Sequence, residues 1–211
     1  MDIAPIHRSS PLKVDRKILT LKVLLSFPMV LMRAFPKKRD VMAHYDTLGG
    51  RIYDLRYGHE QTAKYDVIFS RWSIDTADLV LDVGCGTGLL LSKIKAFSIG
   101  VDISIILLRR ARKRVRRGLG LVQCDAEHLP FRDGVFNKIL AVTVIQNIPR
   151  PENFLLEIKR VSKMGSDIVI SILKKLEFER FRDLIESSGL SIKSSFEDEE
   201  VEDWIIFASN G

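Results

Sequence analysis

The ten residues "LVLDVGCGTG" (79–88) constrain this chain more than any others. A short apolar run ends in three glycines, Gly84, Gly86 and Gly88, and a chain can use such a run only as a buried strand that stops at a tight turn. The segments that follow repeat the theme. "SIGVD" (98–102), "LGLVQCD" (119–125), "NKILAVT" (137–143) and "DIVISIL" (167–173) read as further strands. "LLLSKIKAF", "ISIILLRRARKRVRR", "PENFLLEIKRVSK" and "LEFERFRDLIESSG" read as the helices between and after them, the third opened by Pro151 and the fourth stopped by Gly189. Two strands, "LSIKSSF" and "DWIIFAS", close the chain as a hairpin. Short buried strands alternating with helices specify an α/β fold with a doubly wound, mostly parallel sheet. Seven strands are expected, the last of them antiparallel.

At 211 residues, with 46% apolar and 28% charged residues, the chain has material for one good core. Cys85 and Cys124 are too few for a disulfide framework and lack metal-ligand spacing, so no metal site is expected and a reducing, cytoplasmic setting is. The formal charge of +6 hints at an anionic partner.

Residues 1–40 differ from the rest and form an N-terminal extension, with the main domain at 41–211. "ILTLKVLLSFPMVLMRAF" is apolar with basic flanks, but Lys22 and Pro28 interrupt it and no cleavage site follows. It is too short and broken to span a bilayer comfortably. Three readings stay open: a helix packed on the domain or a partner, an interfacial anchor giving weak membrane-surface association through residues 18–39, or an over-long start ahead of Met42.

The strand ends carry carboxylates. Gly88 follows Gly86 by two positions, not the three of the dinucleotide fingerprint, and Asp82 ahead of the first glycine suits a cationic amino group better than a pyrophosphate. Asp102 ends the second strand where it can accept two ribose hydroxyls, and Asp125 ends the third as a candidate acceptor for an adenine amino group.

In this order these elements resemble the class I S-adenosylmethionine-dependent methyltransferases, of the methyltransferase type 11 or UbiE-like kind, from about Tyr45 to Ser209. The resemblance implies a Rossmann-like fold and S-adenosyl-L-methionine as cofactor. It implies Asp82, Gly84 and Gly86 at the methionine end, Asp102 on the ribose, Ile103 beside the adenine, and Asp125 and Ala126 at the adenine edge. Thr143 would sit near the sulfonium. "AHYDTLGGRIYDLRYGHEQTAKYD" is similar to the helix that related enzymes fold over the cofactor, with Tyr45 the first choice for a lid contact and Tyr57 and Gln61 behind it. Tyr53 and Tyr65 are assigned to packing the helix on the sheet. Asn137 stands where the family has Asp, a position that supports the fold.

"VTVIQNIPRP" resembles the reaction segment of the family, where a His-His or Leu-His pair is common; here Gln146 and Asn147 occupy those places. Amides orient a substrate but accept no proton at neutral pH. The two are therefore the candidate catalytic residues for an acceptor that is already anionic or carries a lone pair. A base from elsewhere would be His44, His59 or His128. Seven cations between Arg109 and Arg117 form either a solvated face or a polyanion surface, and "FEDEEVED" should rim the substrate entrance. The resemblance extends to compact tRNA wobble-uridine methyltransferases, some of which need a small zinc-binding activator protein, and equally to quinone and other small-molecule methyltransferases. RNA, foremost tRNA, or another macromolecule is the preferred substrate. A small-molecule acceptor, or a non-catalytic cofactor-binding subunit, is the alternative.

Overall fold

The structure, a computed structural model, describes residues 37–115 and 119–211. The apolar extension, and with it the membrane-surface segment, lies almost wholly outside the described residues. Helix α1 (Lys38–Arg71) comes first, with a break at Gly49 where φ is 70°. The strands are β1 (Leu79–Val83), β2 (Phe97–Asp102), β3 (Gly120–Gln123), β4 (Phe136–Ala141), β5 (Ser162–Leu173), β6 (Ser191–Glu197) and β7 (Asp203–Ser209). Between them lie α2 (Ile105–Arg114), α3 (Pro151–Val161) and α4 (Phe178–Ser187). All seven strands join one sheet in the order β3-β2-β1-β4-β5-β7-β6, with β7 antiparallel to both neighbours and the other pairs parallel. This is the doubly wound fold that the alternation calls for.

Two apolar layers hold the sheet. On one face Phe154, Leu155 and Ile158 of α3 and Phe181 and Ile185 of α4 pack against Leu81, Ile139, Ile168 and Ile206. On the other, Tyr65 and Ile68 of α1 pack against Val80, Leu140, Val169 and Ile205. Alternate residues of β1, β4 and β5 thus serve opposite faces, which is why these strands read as continuous apolar runs. No described helix is long and apolar enough to cross a membrane.

Three expectations are corrected. "LLLSKIKAF" is not a helix but a single 3₁₀ turn, Leu91–Lys93. Nine helical residues rise only about 13 Å, too little to run back along a strand of roughly 17 Å. Leu90, Leu91, Ile94 and Ala96 are all buried, more than a one-sided helix could hide. The third strand ends at Gln123, because the Asp125 carboxylate accepts the Glu127 amide (2.9 Å) and turns the chain. The fifth begins at Ser162, directly out of α3, and a register shift between Phe136 and Lys138 absorbs the extra residues.

Asn137 uses both ends of its amide. Its Oδ1 accepts the Leu79 N–H (2.6 Å) and its Nδ2 donates to Asp78 Oδ1 (2.5 Å), which ties β4 to the start of β1.

Phe154 is fully buried at the centre of the larger layer. Its replacement by Ala should lower the unfolding free energy by about 3–5 kcal/mol, measured by urea denaturation; a loss below about 1 kcal/mol would contradict this account of the core.

Candidate cofactor and acceptor site

β1 and β4 lie side by side at the switch point of the sheet, where the chain order reverses and ligands bind outside the carboxyl ends of the strands. The glycine turn leaves β1 here. A Cβ on Gly84 (φ 75°) would lie 2.3 Å from Val144 Cγ2, so only glycine lets the turn pass against the segment after β4. Gly86 donates its N–H to Asp102 Oδ2 (2.9 Å), and Ser104 donates its own to Asp102 Oδ1 (2.8 Å). The carboxylate is held in one orientation, with a lone pair left on each oxygen for a further donor. The Ser104 hydroxyl caps α2 by accepting the Leu107 amide (3.2 Å).

Asp82 is buried, and its Oδ2 has no hydrogen-bond partner. Such an oxygen is costly unless a donor arrives. Burial, with the nearby Asp102, pushes the Asp82 carboxyl up to about 8. Burial also raises Asp102, to about 6, against the Ser104 and Gly86 N–H groups that lower it. A cationic amino group beside Asp82 would meet its unpaired oxygen and favour its ionised form. The residues present therefore fit the amino-acid end and the ribose of S-adenosylmethionine.

Helix α1 covers the turn. Tyr45 is half-buried, its phenol pKa is driven well upward by the loss of water around it, and its hydroxyl accepts from Asn147 Nδ2 (3.3 Å). Tyr65 packs in the core as assigned, but Tyr53 does not merely pack: its hydroxyl lies 3.4 Å from where a Gly86 Cβ would be. Tyr57 lies against Tyr53, their ring centroids 5.2 Å apart. His44 stacks edge-on against Tyr45, and His128 is exposed with Nδ1 3.1 Å from Asp125.

Asp125 and Ala126 lie on the loop after β3. Asp125 is paired with Lys38, which also meets Glu127 at 3.0 Å, and Glu127 in turn holds Arg150 (2.7 Å). Burial would raise the Asp125 carboxyl, but Lys38, the Glu127 amide and His128 together bring it below its ordinary value. Ile103 is half-buried, and its carbonyl accepts from Gln123 (3.1 Å). The basic helix turns two cations inward: Arg110 (3.0 Å) and Arg114 (2.7 Å) grip Asp54 of α1, and Arg114 also donates to the Thr87 carbonyl (2.7 Å). They clamp α1 to the glycine turn, a use that helical periodicity alone does not reveal.

The segment after β4 holds the main surprise. Thr143 has φ 60°, the one positive value of a non-glycine among the described residues, a conformation that costs about 1–3 kcal/mol. Its hydroxyl donates to Asp203 Oδ2 (2.8 Å) and accepts from Lys64 (3.0 Å), and Gln61 approaches it at 3.5 Å. Its N–H donates to Ser171 Oγ (2.8 Å). Lys64 and Asp203 are fully buried and paired at 2.8 Å. Sequence reading missed Lys64, Ser171 and Asp203. The one signal was Lys64 among Gln61, Tyr65 and Ile68, a charge on the buried stripe of an amphipathic helix. Asp203 is not part of an acidic rim but closes this network. Gln146 has its side-chain oxygen and nitrogen buried without partners, and Asn147 also reaches the Thr143 carbonyl (3.4 Å).

Sheet order, glycine turn and strand-end carboxylates are together similar to those of the class I S-adenosylmethionine-dependent methyltransferases. Comparison with known proteins agrees. Residues 81–170 match the family described as "Methyltransferase domain". The chain is 38% identical over 98 residues to phosphatidylethanolamine N-methyltransferase of Cereibacter sphaeroides, covering 43% of this chain and 48% of that protein. It is 32% identical over 149 residues to demethylmenaquinone methyltransferase of Thermobifida fusca, covering 63% and 60%. A putative methyltransferase of Haloferax volcanii, solved in complex with the Trm112 methyltransferase activator, shares the fold with a TM-score of 0.70 at 16% identity, over 81% of this chain and 97% of that one. The chain spans about half to three-fifths of the length of these two curated relatives.

The raised carboxyls give a signed pH dependence. Folded Asp82 and Asp102 keep protons that the unfolded chain, with carboxyls near 3.8, has already released. The folded state therefore binds more protons from about pH 4 to about pH 8, and stability should fall as pH rises through that window. S-adenosylmethionine binding should release a proton near pH 7, read by calorimetry in buffers of different ionisation enthalpy. Zero release would mean that Asp82 does not meet the amino group.

Proposed function

We propose that this chain transfers a methyl group from S-adenosylmethionine to an acceptor that Gln146 and Asn147 orient, and that the acceptor is a macromolecule, foremost a tRNA. The observation that carries the reading is the unpaired Asp82 oxygen beside a glycine turn locked to Asp102. The cofactor supplies an activated methyl when bound; the chain's work is to align it with the acceptor and exclude water. Tyr45, half-buried against Asn147 and Tyr53, serves the second task. Ile103, Asp125 and Ala126 would hold the adenine, and Thr143 the neighbourhood of the sulfonium. The unpaired Gln146 amide offers N–H donors and a carbonyl acceptor to a substrate but no base, which suits a nucleophile needing no deprotonation.

A macromolecular substrate is supported by the short α4, which leaves no large substrate-binding insertion between β5 and β6, and by Arg109, Arg112 and Lys113 in the last turns of α2. The Haloferax volcanii neighbour, solved with its activator, supports a small activator protein as partner. A second reading, a small or lipid-soluble acceptor, is favoured by relatives named for phosphatidylethanolamine and demethylmenaquinone.

Labelled S-adenosylmethionine added to fractionated lysate of cells lacking this gene separates these readings. Label in tRNA supports the first, with dependence on wild-type extract pointing to an activator; label in lipid or small molecules replaces it with the second. Asp102→Ala should weaken cofactor binding at least tenfold by calorimetry, and unchanged affinity would sink the cofactor assignment.

A further inference from the structure

We infer that Lys64, Ser171 and Asp203 form a positioning device that forces Thr143 into its left-handed conformation and so sets the reaction segment against the cofactor turn. The inference rests on the methyltransferase reading above. Three elements supply the device: α1 brings Lys64, β5 brings Ser171 and the start of β7 brings Asp203. Asp203 Oδ2 accepts from both Ser171 (2.6 Å) and Thr143 (2.8 Å), while its Oδ1 lies 2.8 Å from Lys64 Nζ. Lys64 is completed by Glu60 (2.7 Å), half-exposed one helical turn earlier.

Each polar atom of Thr143 is thereby engaged. Its N–H goes to Ser171, its hydroxyl to Asp203 and Lys64, and its carbonyl to Asn147. A β-branched residue does not take φ 60° unless its surroundings over-determine it. The effect lies one residue on. Val144 fills the space beside Gly84 that even a methyl group would overfill, so a shift of Thr143 moves the wall of the methionine cradle. Buried charges are an expensive way to stabilise a fold, since apolar residues of similar volume often serve as well. At this place they do something apolar residues cannot, which is to bond the hydroxyl of one strained residue and to hold the Ser171 hydroxyl that takes its amide.

Glycine separates this role from a structural one, because it adopts φ 60° without help. The Lys64→Met/Asp203→Leu pair removes both charges together and avoids stranding either. It should melt within a few degrees of the wild type yet bind S-adenosylmethionine at least tenfold more weakly by calorimetry. Adding Thr143→Gly to the pair should restore affinity to within about threefold. Wild-type affinity in the pair, or failure of the glycine to restore it, would overturn the inference. If the pair does not fold, Ser171→Ala, which keeps the charges, should weaken binding about threefold and be rescued by the same glycine; no change, or no rescue, would overturn it equally. Asp102→Ala runs alongside: a wild type that binds no cofactor indicts the methyltransferase reading itself, whereas binding lost in Asp102→Ala and kept in the pair indicts the device alone.

Discussion

Two carboxylates at the ends of adjacent parallel strands, one buried and one half-buried, are the constraint on which the rest of this structure depends. β1 and β2 pair in a register that brings Asp82 opposite Gly100, two residues short of Asp102. The two acids must therefore share one small region of low polarity. The fold answers unequally. Asp102 receives two backbone N–H groups from the ends of the turns that flank it, while Asp82 Oδ2 receives nothing. That inequality makes the pocket chemically directional, with a rigid acceptor on one side and an unsatisfied acid on the other. A zwitterionic nucleoside with its cation at one end and its diol at the other matches that division.

Helix α1 is the second necessity. A sheet with its carboxyl ends open would leave these acids hydrated, and a hydrated site cannot use its electrostatics well. The helix covers them at points spread along its length, through Lys38 to the loop after β3, Tyr45 to Asn147, Tyr53 to Gly86 and Lys64 to Thr143. Its apolar side meets the sheet only near its end, at Tyr65, Val67 and Ile68. The earlier turns are held chiefly by polar and aromatic contacts, among them the grip of Arg110 and Arg114 on Asp54.

Much of this was legible in the sequence, and the division follows from distance along the chain. The strands, the glycine turn and the acids at the strand ends are local patterns, each readable within about ten residues. Gly84, Gly86, Asp82 and Asp102 accordingly lie together where the motif suggests. The connection after β1 was misread because apolar residues in a short link look helical whether they face one side or several. Lys64, Ser171 and Asp203 could not be read at all, since no local pattern links a helix before the sheet to a strand at its far side. The basic run on α2 misled in a related way: periodicity gives a face, but only the position of α1 shows that Arg110 and Arg114 look inward.

The bridge between Asn137 and Asp78 carries a consequence for how such chains diverge. An amide can give at one end and receive at the other, so Asn137 takes the Leu79 N–H and still donates to the Asp78 carboxylate. An ionised carboxylate at position 137 could do the first and not the second, and would face another acid at 2.5 Å. In this geometry the two positions depend on each other: Asp78 needs a donor at 137, and an ionised acid there would be accommodated only with a change at position 78.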